Sequence, residues 1–284
     1  MGGPHVLGRT FKTAADLDEL SETVWRQNYK RTGTVLARAL AGVDTALWDL
    51  VARSQNRTVC SLIAEGFGAQ CRSTVPVYGS NCNRAYDPEK CVDNAVHNRD
   101  TYGVRAFKFQ IANRMGADVD IKPGRTEKLI PLARQALGPD VVLMADANGG
   151  YDNFTHAKEI SRLLVENNFT WFEEPFPYWE YDQAAALAKE MPELPIALGE
   201  QEYRLDVWER NIRAMRYAQP DLHYNGGMSR ALRVVRMSLE ANTSVVPHGP
   251  GANLIAVFNL NLMAASPNAA EFMEFDAVNT KNPP

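Results

Sequence analysis

The chain changes its hydrophobic pattern near residue 70. Before that point apolar residues recur at helical spacing, which predicts helices at 14–29, 34–53 and 59–64. Thr13 stands directly before the first of these helices and fits an N-cap. After residue 70 short β-rich runs alternate with amphipathic helices, which is typical of a parallel α/β fold.

The second region is predicted to contain eight strands with seven helices between them. The strands are expected near 74–79, 104–110, 141–146, 169–173, 195–200, 216–221, 244–248 and 271–275. The helices are expected near 86–101, 124–137, 154–168, 181–191, 203–214, 227–242 and 252–265. This alternation predicts an α/β protein: a (β/α)7β TIM-like barrel over 71–284, preceded by a partial, mainly helical N-terminal capping segment over 1–70.

Three acidic residues each close a short apolar run in the barrel region. Asp146, Glu173 and Glu200 follow one another at intervals of 27 residues, about the length of one βα unit. The carboxyl ends of barrel strands meet at one mouth, whereas an open doubly wound sheet would not place polar residues on so many successive strands. Carboxylate oxygens suit Mg²⁺, or Mn²⁺ in its place, so these three residues are predicted metal ligands.

Polar residues continue at a similar spacing on the later strands. Asp221, His248 and Glu274 end three further predicted strands, and Lys108 lies on an earlier one. Histidine, with an unperturbed pKa of about 6.5, suits removal of a proton next to a carboxylate, and Asp221 on the adjacent strand is placed to orient it. Lys108 would add positive charge for the resulting enediolate. Loss of a β-hydroxyl would then give dehydration, and return of the proton to the other face would give racemisation or epimerisation.

Other residues near these strand ends are weaker candidates. Gln110 shares a strand face with Lys108 because alternate residues point the same way. Asn148 fits a substrate contact and a loop cap equally well, and His223 has no motif to support it. Glu174 is better explained as a structural neighbour than as a ligand.

Composition narrows the class of partner. The net charge is −4 without a basic tract, which argues against nucleic acid and anionic membranes and favours a small-molecule carboxylate substrate. No apolar run reaches the roughly 18 residues of a spanning helix, so we expect a cytoplasmic protein, and we expect a homo-oligomer. The four cysteines form no C-x-x-C motif and are predicted to be reduced, structural thiols.

Several short motifs, taken in order, resemble the enolase superfamily and in particular its mandelate racemase-like group. The resemblance covers about residues 31–276 and implies Asp146, Glu173 and Glu200 as Mg²⁺ ligands, an Asp221–His248 dyad, and Glu274 as the acid that hydrogen-bonds the enediolate. The run 172–180 is similar to acid-sugar dehydratases such as galactarate dehydratases. The motifs are Gly42-Val43-Asp44-Thr45-Ala46-Leu47-Trp48-Asp49-Leu50, Asp146-Ala147-Asn148, Trp171-Phe172-Glu173-Glu174-Pro175, Gly199-Glu200, Pro220-Asp221, Asn225-Gly226-Gly227 and Pro247-His248.

Two departures from the family pattern shape the functional hypothesis. The family has Lys-x-Lys on the second strand, but here the pair is Lys108-Phe109-Gln110, and glutamine cannot be the second base. A single-base dehydration by His248 is therefore favoured, although a two-residue shift of the strand would make Lys108 the second base. The family's three-stranded N-terminal sheet and its C-terminal return segment are also missing, so we expect a chain truncated at both ends. Two alternatives to the dehydratase remain. One is a racemase or epimerase of a 2-hydroxy acid, and the other is a truncated, catalytically impaired relative that binds its ligand without turnover.

Overall fold

The computed structural model describes residues 3–249, 251 and 253–275. Within them the helices are α1 Gly3–Val6, α2 Ala14–Gln27, α3 Thr34–Ser54, α4 Val59–Gly66, α5 Pro88–Tyr102, α6 Arg125–Leu137, α7 Phe154–Glu166, α8 Tyr181–Glu190, α9 Leu205–Asn211, α10 Leu222–Asn225, α11 Met228–Glu240 and α12 Leu254–Ala265. The strands are β1 Val77–Cys82, β2 Ala106–Gln110, β3 Val142–Asp146, β4 Phe169–Glu173, β5 Ile196–Leu198, β6 Tyr217–Ala218, β7 Ser244–Val245 and β8 Met273–Phe275.

The later strands are shorter than the sequence pattern predicts. β6 and β7 each contain two residues, whereas runs of five or six were expected. Pro220 and Pro247 lie in the predicted runs, and because proline has no N–H to donate to the ladder, each run stops pairing early. β5 ends at Leu198 because Gly199 follows with a φ of 111°, which takes the backbone out of the strand region.

All eight predicted strands pair in one sheet. Their order is β7-β6-β5-β4-β3-β2-β1-β8, and the pairings from β1 to β5 are parallel. Val245 at the end of β7 also forms a parallel bridge to Ala269, just before β8, which joins the two ends of the strand order. The prediction of a (β/α)7β TIM-like barrel is confirmed.

Contacts along the chain divide it into two compact units. The first contains Met1–Pro76, Gly199–Ile212 and Ala218–Met273, and the second contains Val77–Leu198, Arg213–Tyr217 and Glu274–Pro284. The boundary predicted at residue 70 between capping segment and barrel stays a prediction. The predicted barrel end at 284 and the predicted helix start at 252 lie outside the described residues.

In the first unit, the motif on α3 is explained by its contact with the start of α11. Asp44 accepts hydrogen bonds from the backbone N–H of Ser229 at 3.0 Å and from its hydroxyl at 2.5 Å, and the Trp48 indole donates to the same hydroxyl at 2.9 Å. Gly227, with a φ of 102°, leaves room for this approach, since a Cβ there would lie 2.6 Å from Asp44 Oδ2. Asp44 thus caps α11 and fixes α3 against it.

In the second unit, strand register brings the predicted site residues to one level. Gln110 pairs with Asp146, and Asp146 pairs with Glu173, so the last residues of β2, β3 and β4 stand side by side. Lys108 lies two residues lower, level with Met144. Neighbouring residues of a parallel sheet in register point to the same face, so these polar side chains share one side.

The prediction of four reduced thiols is wrong. Cys60 and Cys71 form one disulfide in the first unit, and Cys82 and Cys91 form another in the second. The chain turns back within 11 and 9 residues, which brings the Cα atoms to 6.1 and 5.0 Å, inside the range that a disulfide spans. These two cysteine pairs match no metal-binding or redox motif, because a local turn of the chain brings each pair together.

Candidate functional site

A buried ion-pair cluster lies in the second unit around Lys108. The Lys108 ammonium is 2.6 Å from Glu173 Oε1 and 2.9 Å from Glu274 Oε1. None of the three side chains is more than 1% exposed. Burial alone lowers the pKa of Lys108, but the carboxylates of Glu173 and Glu274 outweigh it and hold that pKa well above its ordinary value. Lys108 is therefore a fixed positive charge between two acids.

Asp146 is held at the tip of β3 by its own turn. Its Oδ1 accepts the backbone N–H of Asn148 at 2.8 Å, and Asn148 adopts a φ of 43° to make this contact. The Asn148 side-chain oxygen accepts a 3.4 Å hydrogen bond from Arg114. Gln110, the neighbour of Asp146 in register, is half-buried. The structure thus brings Asp146, Asn148 and Gln110 together at the end of two adjacent strands.

Two arginines that the sequence analysis missed brace the same strand ends. Arg84 donates to the carbonyl oxygens of Ile111 and Asp146, both at 3.1 Å. Arg125 donates to the carbonyl of Gln110 at 3.1 Å and contacts both sulfurs of the Cys82–Cys91 disulfide. Both side chains are buried. Neither stands in a motif, because their partners are backbone carbonyls that only the folded chain brings close.

Two aromatic side chains contact the Lys108 cluster. The Trp171 indole donates to Glu173 Oε2 at 3.3 Å and meets the Tyr78 ring edge-on at 5.5 Å. Tyr78 is fully buried, and its ring centre lies 5.6 Å from Lys108 Nζ. Its hydroxyl has no hydrogen-bond partner among the described residues. Burial raises the pKa of this phenol well above its ordinary value, so it stays neutral.

Replacing Tyr78 with phenylalanine is expected to leave the free energy of unfolding unchanged or to raise it by about 1 kcal/mol, because it removes a buried hydroxyl without a protein partner. Tyr151→Phe is the matched control, since Tyr151 is equally buried but the nearby Thr126 hydroxyl interacts with its phenol, as the effect of Thr126 in lowering the Tyr151 pKa indicates. That variant should lose about 1 kcal/mol. Urea unfolding of both variants measures the difference, and an equal loss would show that Tyr78 is also partnered.

The predicted dyad is assembled in the first unit. His248 Nδ1 lies 2.7 Å from Asp221 Oδ2. The other oxygen, Oδ1, accepts the backbone N–H groups of His223 at 2.6 Å and Tyr224 at 3.0 Å, so Asp221 is also the N-cap of α10. Asn259 fixes the far side by donating to the His248 carbonyl at 3.1 Å. An imidazole that donates its Nδ1–H to a carboxylate presents Nε2 as the reactive nitrogen.

That second nitrogen faces Glu200. His248 Nε2 lies 3.3 Å from Glu200 Oε2, and Gln201 donates to the other oxygen, Oε1, at 2.8 Å. Gly199 positions the acid, because its φ of 111° turns the chain directly above Trp208. A Cβ on Gly199 would lie 2.0 Å from the Trp208 ring. Glu200 is therefore presented by a close approach that only glycine allows.

His223 lies apart from the dyad, although it is only two residues from Asp221. Its side chain is exposed, and its ring stacks on Tyr224 with 5.9 Å between centres. The Tyr224 ring in turn lies 6.4 Å from the His248 ring. The ring planes differ by 21° between His223 and Tyr224 and by 24° between Tyr224 and His248. The reason is that α10 begins at residue 222 and directs the next side chain outward.

The donor set of the three predicted ligands fits Mg²⁺. Among the described residues, no three His, Cys, Asp or Glu side chains are gathered as closely as a bound metal would hold them. A lysine and a histidine stand beside two of the predicted ligands instead, Lys108 next to Glu173 and His248 next to Glu200. Glu200 Oε2 is buried and, although His248 Nε2 lies 3.3 Å away, it has no hydrogen-bond partner among the described residues, which fits an oxygen ligand of a cation.

Comparison with known families decides what kind of protein this arrangement belongs to. Residues 90–282 match the family model described as enolase C-terminal domain-like. Residues 13–64 match the N-terminal domain of the mandelate racemase and muconate lactonizing enzymes. The chain belongs to the enolase superfamily. Its motifs and its barrel therefore have one explanation, and the family resemblance predicted from them is confirmed.

Curated members of this superfamily share about a quarter to a third of its residues. The arabinonate dehydratase of Saccharolobus solfataricus is 29% identical over 87% of this chain and 65% of its own length. The D-galactarolactone cycloisomerase of Agrobacterium fabrum is 30% identical over 86% of this chain and 64% of its own length. This chain thus spans slightly less than two thirds of these relatives.

Solved structures of the superfamily superpose closely. A protein from Roseobacter denitrificans, named provisionally as a racemase, is 36% identical with a TM-score of 0.89, over 97% of this chain and 73% of its own. The L-talarate dehydratase of Polaromonas sp. JS666, solved with magnesium and L-glucarate, has a TM-score of 0.81 over 96% and 70%. At 22% identity the second shows the shared fold alone.

Proposed function

We propose that this chain is a Mg²⁺-dependent dehydratase of a sugar acid, an aldonate or an aldarate. The observation that carries the proposal is the His248–Asp221 pair, in which the second imidazole nitrogen, Nε2, lies 3.3 Å from Glu200. A base oriented by a carboxylate and set beside a proposed metal ligand is what removal of a proton next to a substrate carboxylate requires. The relative named as an arabinonate dehydratase supports the same reaction class.

The metal ligands are proposed to be Asp146, Glu173 and Glu200, on the basis of their equal spacing and oxygen donors. Mn²⁺ is the expected substitute, because it accepts the same oxygen ligands. When bound, the ion would supply positive charge to the substrate carboxylate.

The protein groups are proposed to act in two steps. His248 Nε2 accepts the α-proton, and Asp221 stabilises the imidazolium that forms. The electron pair of the C–H bond moves into the enediolate, whose charge is met by Lys108. Glu274 can add a hydrogen bond to the enediolate only in its protonated form, because a carboxylate has no proton to donate. The electron pair then expels the β-hydroxyl, His248 returns its proton to the departing oxygen as water, and the enol product tautomerises to a keto acid.

Gln110 favours this route over racemisation. Its amide is neither acid nor base at neutral pH, so Gln110 cannot act as the second base of the family's Lys-x-Lys motif. We propose that Gln110, Asn148 and His223 contribute hydrogen bonds to the substrate instead. The cycloisomerase among the relatives keeps an alternative open, in which the proton returns to carbon and no water is lost.

The wider setting of the protein is proposed from the same features. Relatives are named for small sugar-acid substrates, and a small-molecule carboxylate is proposed here, without nucleic acid or membrane. No helix in the described part of the chain has the length and apolar character to cross a bilayer. A cytoplasmic location and a homo-oligomer stay predictions, and the two disulfides weigh against a reducing compartment.

Turnover of a library of monoacid and diacid sugars with Mg²⁺ tests the proposal. Semicarbazide detects the keto acid that dehydration releases, and we expect at least one acid of the library to give it only when Mg²⁺ is present. Exchange of the α-proton into D₂O without keto acid would indicate racemisation or epimerisation. If neither occurs while Mg²⁺ still binds, the chain is a relative that binds without turnover.

A further inference from the structure

A groove of 790 Å³ lies in the first unit. It runs between α3 and α12, and His223 lies in its wall. Most of the lining is apolar, but one acid and three arginines also contribute. The charged residues are Arg38, Asp49, Arg53 and Arg57.

Arg38 differs from the other two arginines of this groove. Arg53 pairs with Asp49, and Arg57 pairs with Glu65. Arg38 is exposed and forms no ion pair with any residue in the described part of the chain. A guanidinium is always charged at physiological pH and presents a planar set of donors that matches a carboxylate. Of the three arginines in the groove, Arg38 therefore has no acidic partner among the described residues and can pair with an anionic ligand.

Arg38 is also related to the base through one aromatic ring, that of Tyr224. Its guanidinium carbon lies 4.6 Å from the centre of the Tyr224 ring, a cation–π contact. The same ring lies 6.4 Å from the imidazole of His248. Tyr224 is fixed in turn because its backbone N–H donates to Asp221 at the start of α10. One aromatic ring thus contacts both the free arginine and the catalytic histidine.

We propose that Arg38 binds the second carboxylate of a dianionic sugar acid, so that the substrate is an aldarate rather than an aldonate. The inference rests on the proposed function, since it assumes that the first carboxylate and its α-carbon lie at His248. An aldonate ends in a neutral hydroxymethyl group, which would leave Arg38 without its partner. A charge-assisted pair of this kind favours the diacid by about 10- to 100-fold.

Kinetic comparison of Arg38→Gln with the parent chain tests the inference. Galactarate and galactonate are suitable probes, because they have the same carbon skeleton and differ in the terminal group, together with the best aldarate of the library. In Arg38→Gln we expect KM for aldarates to rise about 10- to 100-fold with a much smaller change in kcat, and KM for aldonates to stay the same. Arg38→Lys should fall between, because it keeps the charge but loses the planar fork.

Arg53→Gln is the matched control. Arg53 lies on the same helix and in the same groove, but it already has Asp49 as a partner. Its loss should change neither KM. Circular dichroism of each variant checks the fold, and a parent chain that prefers aldonates, or an Arg38→Gln chain whose KM values for both substrate types change equally, contradicts the inference.

Binding measured without turnover separates this inference from the proposed function. Calorimetric titration of galactarate and of each further aldarate into His248→Asn and into His248→Asn with Arg38→Gln should show affinity weakened about 10- to 100-fold by the arginine change. If that loss is seen but the parent chain dehydrates nothing, the proposed function fails and the subsite stands. If no aldarate binds, or if binding is the same in both chains, the subsite is overturned even when dehydration is observed.

Discussion

Replacing His248 with asparagine is expected to lower kcat by about 10²- to 10⁴-fold, the usual contribution of a general acid–base group. Asparagine can still donate to Asp221, which His248 contacts at 2.7 Å, so the strand end should keep its geometry while the basic nitrogen is lost. Both keto-acid release and α-proton exchange should fall together, because the same nitrogen starts both. Mg²⁺ affinity and the melting temperature should change little.

His156→Asn is the matched control for that experiment. His156 is partly exposed, lies on α7 and contacts Asp118 at 3.3 Å, far along the chain from the dyad. Its replacement should leave kcat unchanged. If His248→Asn exchanges the α-proton at the parent rate, the base is a residue other than His248.

Glu173→Gln is expected to weaken Mg²⁺ binding by more than about 100-fold, because changes to outer-shell partners alone cost 10- to 100-fold. The side chain is fully buried and lies beside Asp146 in register, so no water can readily replace its charge. Calorimetric titration of Mg²⁺ into the purified chain measures the effect. Unaltered affinity would remove Glu173 from the metal site.

A stability measurement must accompany this test, since Glu173 also pairs with Lys108 at 2.6 Å. Breaking a buried pair costs about 3–5 kcal/mol, although Glu274 remains to hold part of the lysine charge. Unfolding without metal gives that cost separately from the loss of binding. Glu174→Gln is the control: this neighbour was predicted not to be a ligand, and its replacement should leave Mg²⁺ affinity in the parent range.

The sequence predicted the ends of β2, β3 and β4 well because each of these strands ends in a polar residue. Asp221 and His248 lie 27 residues apart, and spacing alone placed them on adjacent strands before the structure showed their contact. The predicted lengths of β6 and β7 were too long, because the hydrophobic pattern does not show that proline lacks the N–H needed for strand pairing. Helix α10 was missed because four residues are too few to show a period.

Contacts between distant segments were beyond sequence reasoning. Lys108 was predicted to stabilise an enediolate, but nothing in its neighbours indicates that it pairs with Glu274 on the last strand. Arg84 and Arg125 act through backbone carbonyls, which carry no sequence signature. The disulfides form because local turns bring the cysteines of each pair together. The guanidinium of Arg38 is unpaired among the described residues because Asp49, the acid of the same groove, already pairs with Arg53.

The double contact of Asp221 limits how this position can change during evolution. One oxygen holds the histidine and the other caps α10, so a single short carboxylate serves chemistry and local folding together. Glutamate keeps the charge but is not among the residues that cap helices well, and asparagine caps but supplies no charge. Each of these substitutions therefore keeps one function of Asp221 and loses the other. We expect selection against both, because one weakens the cap of α10 and the other removes the negative charge beside His248.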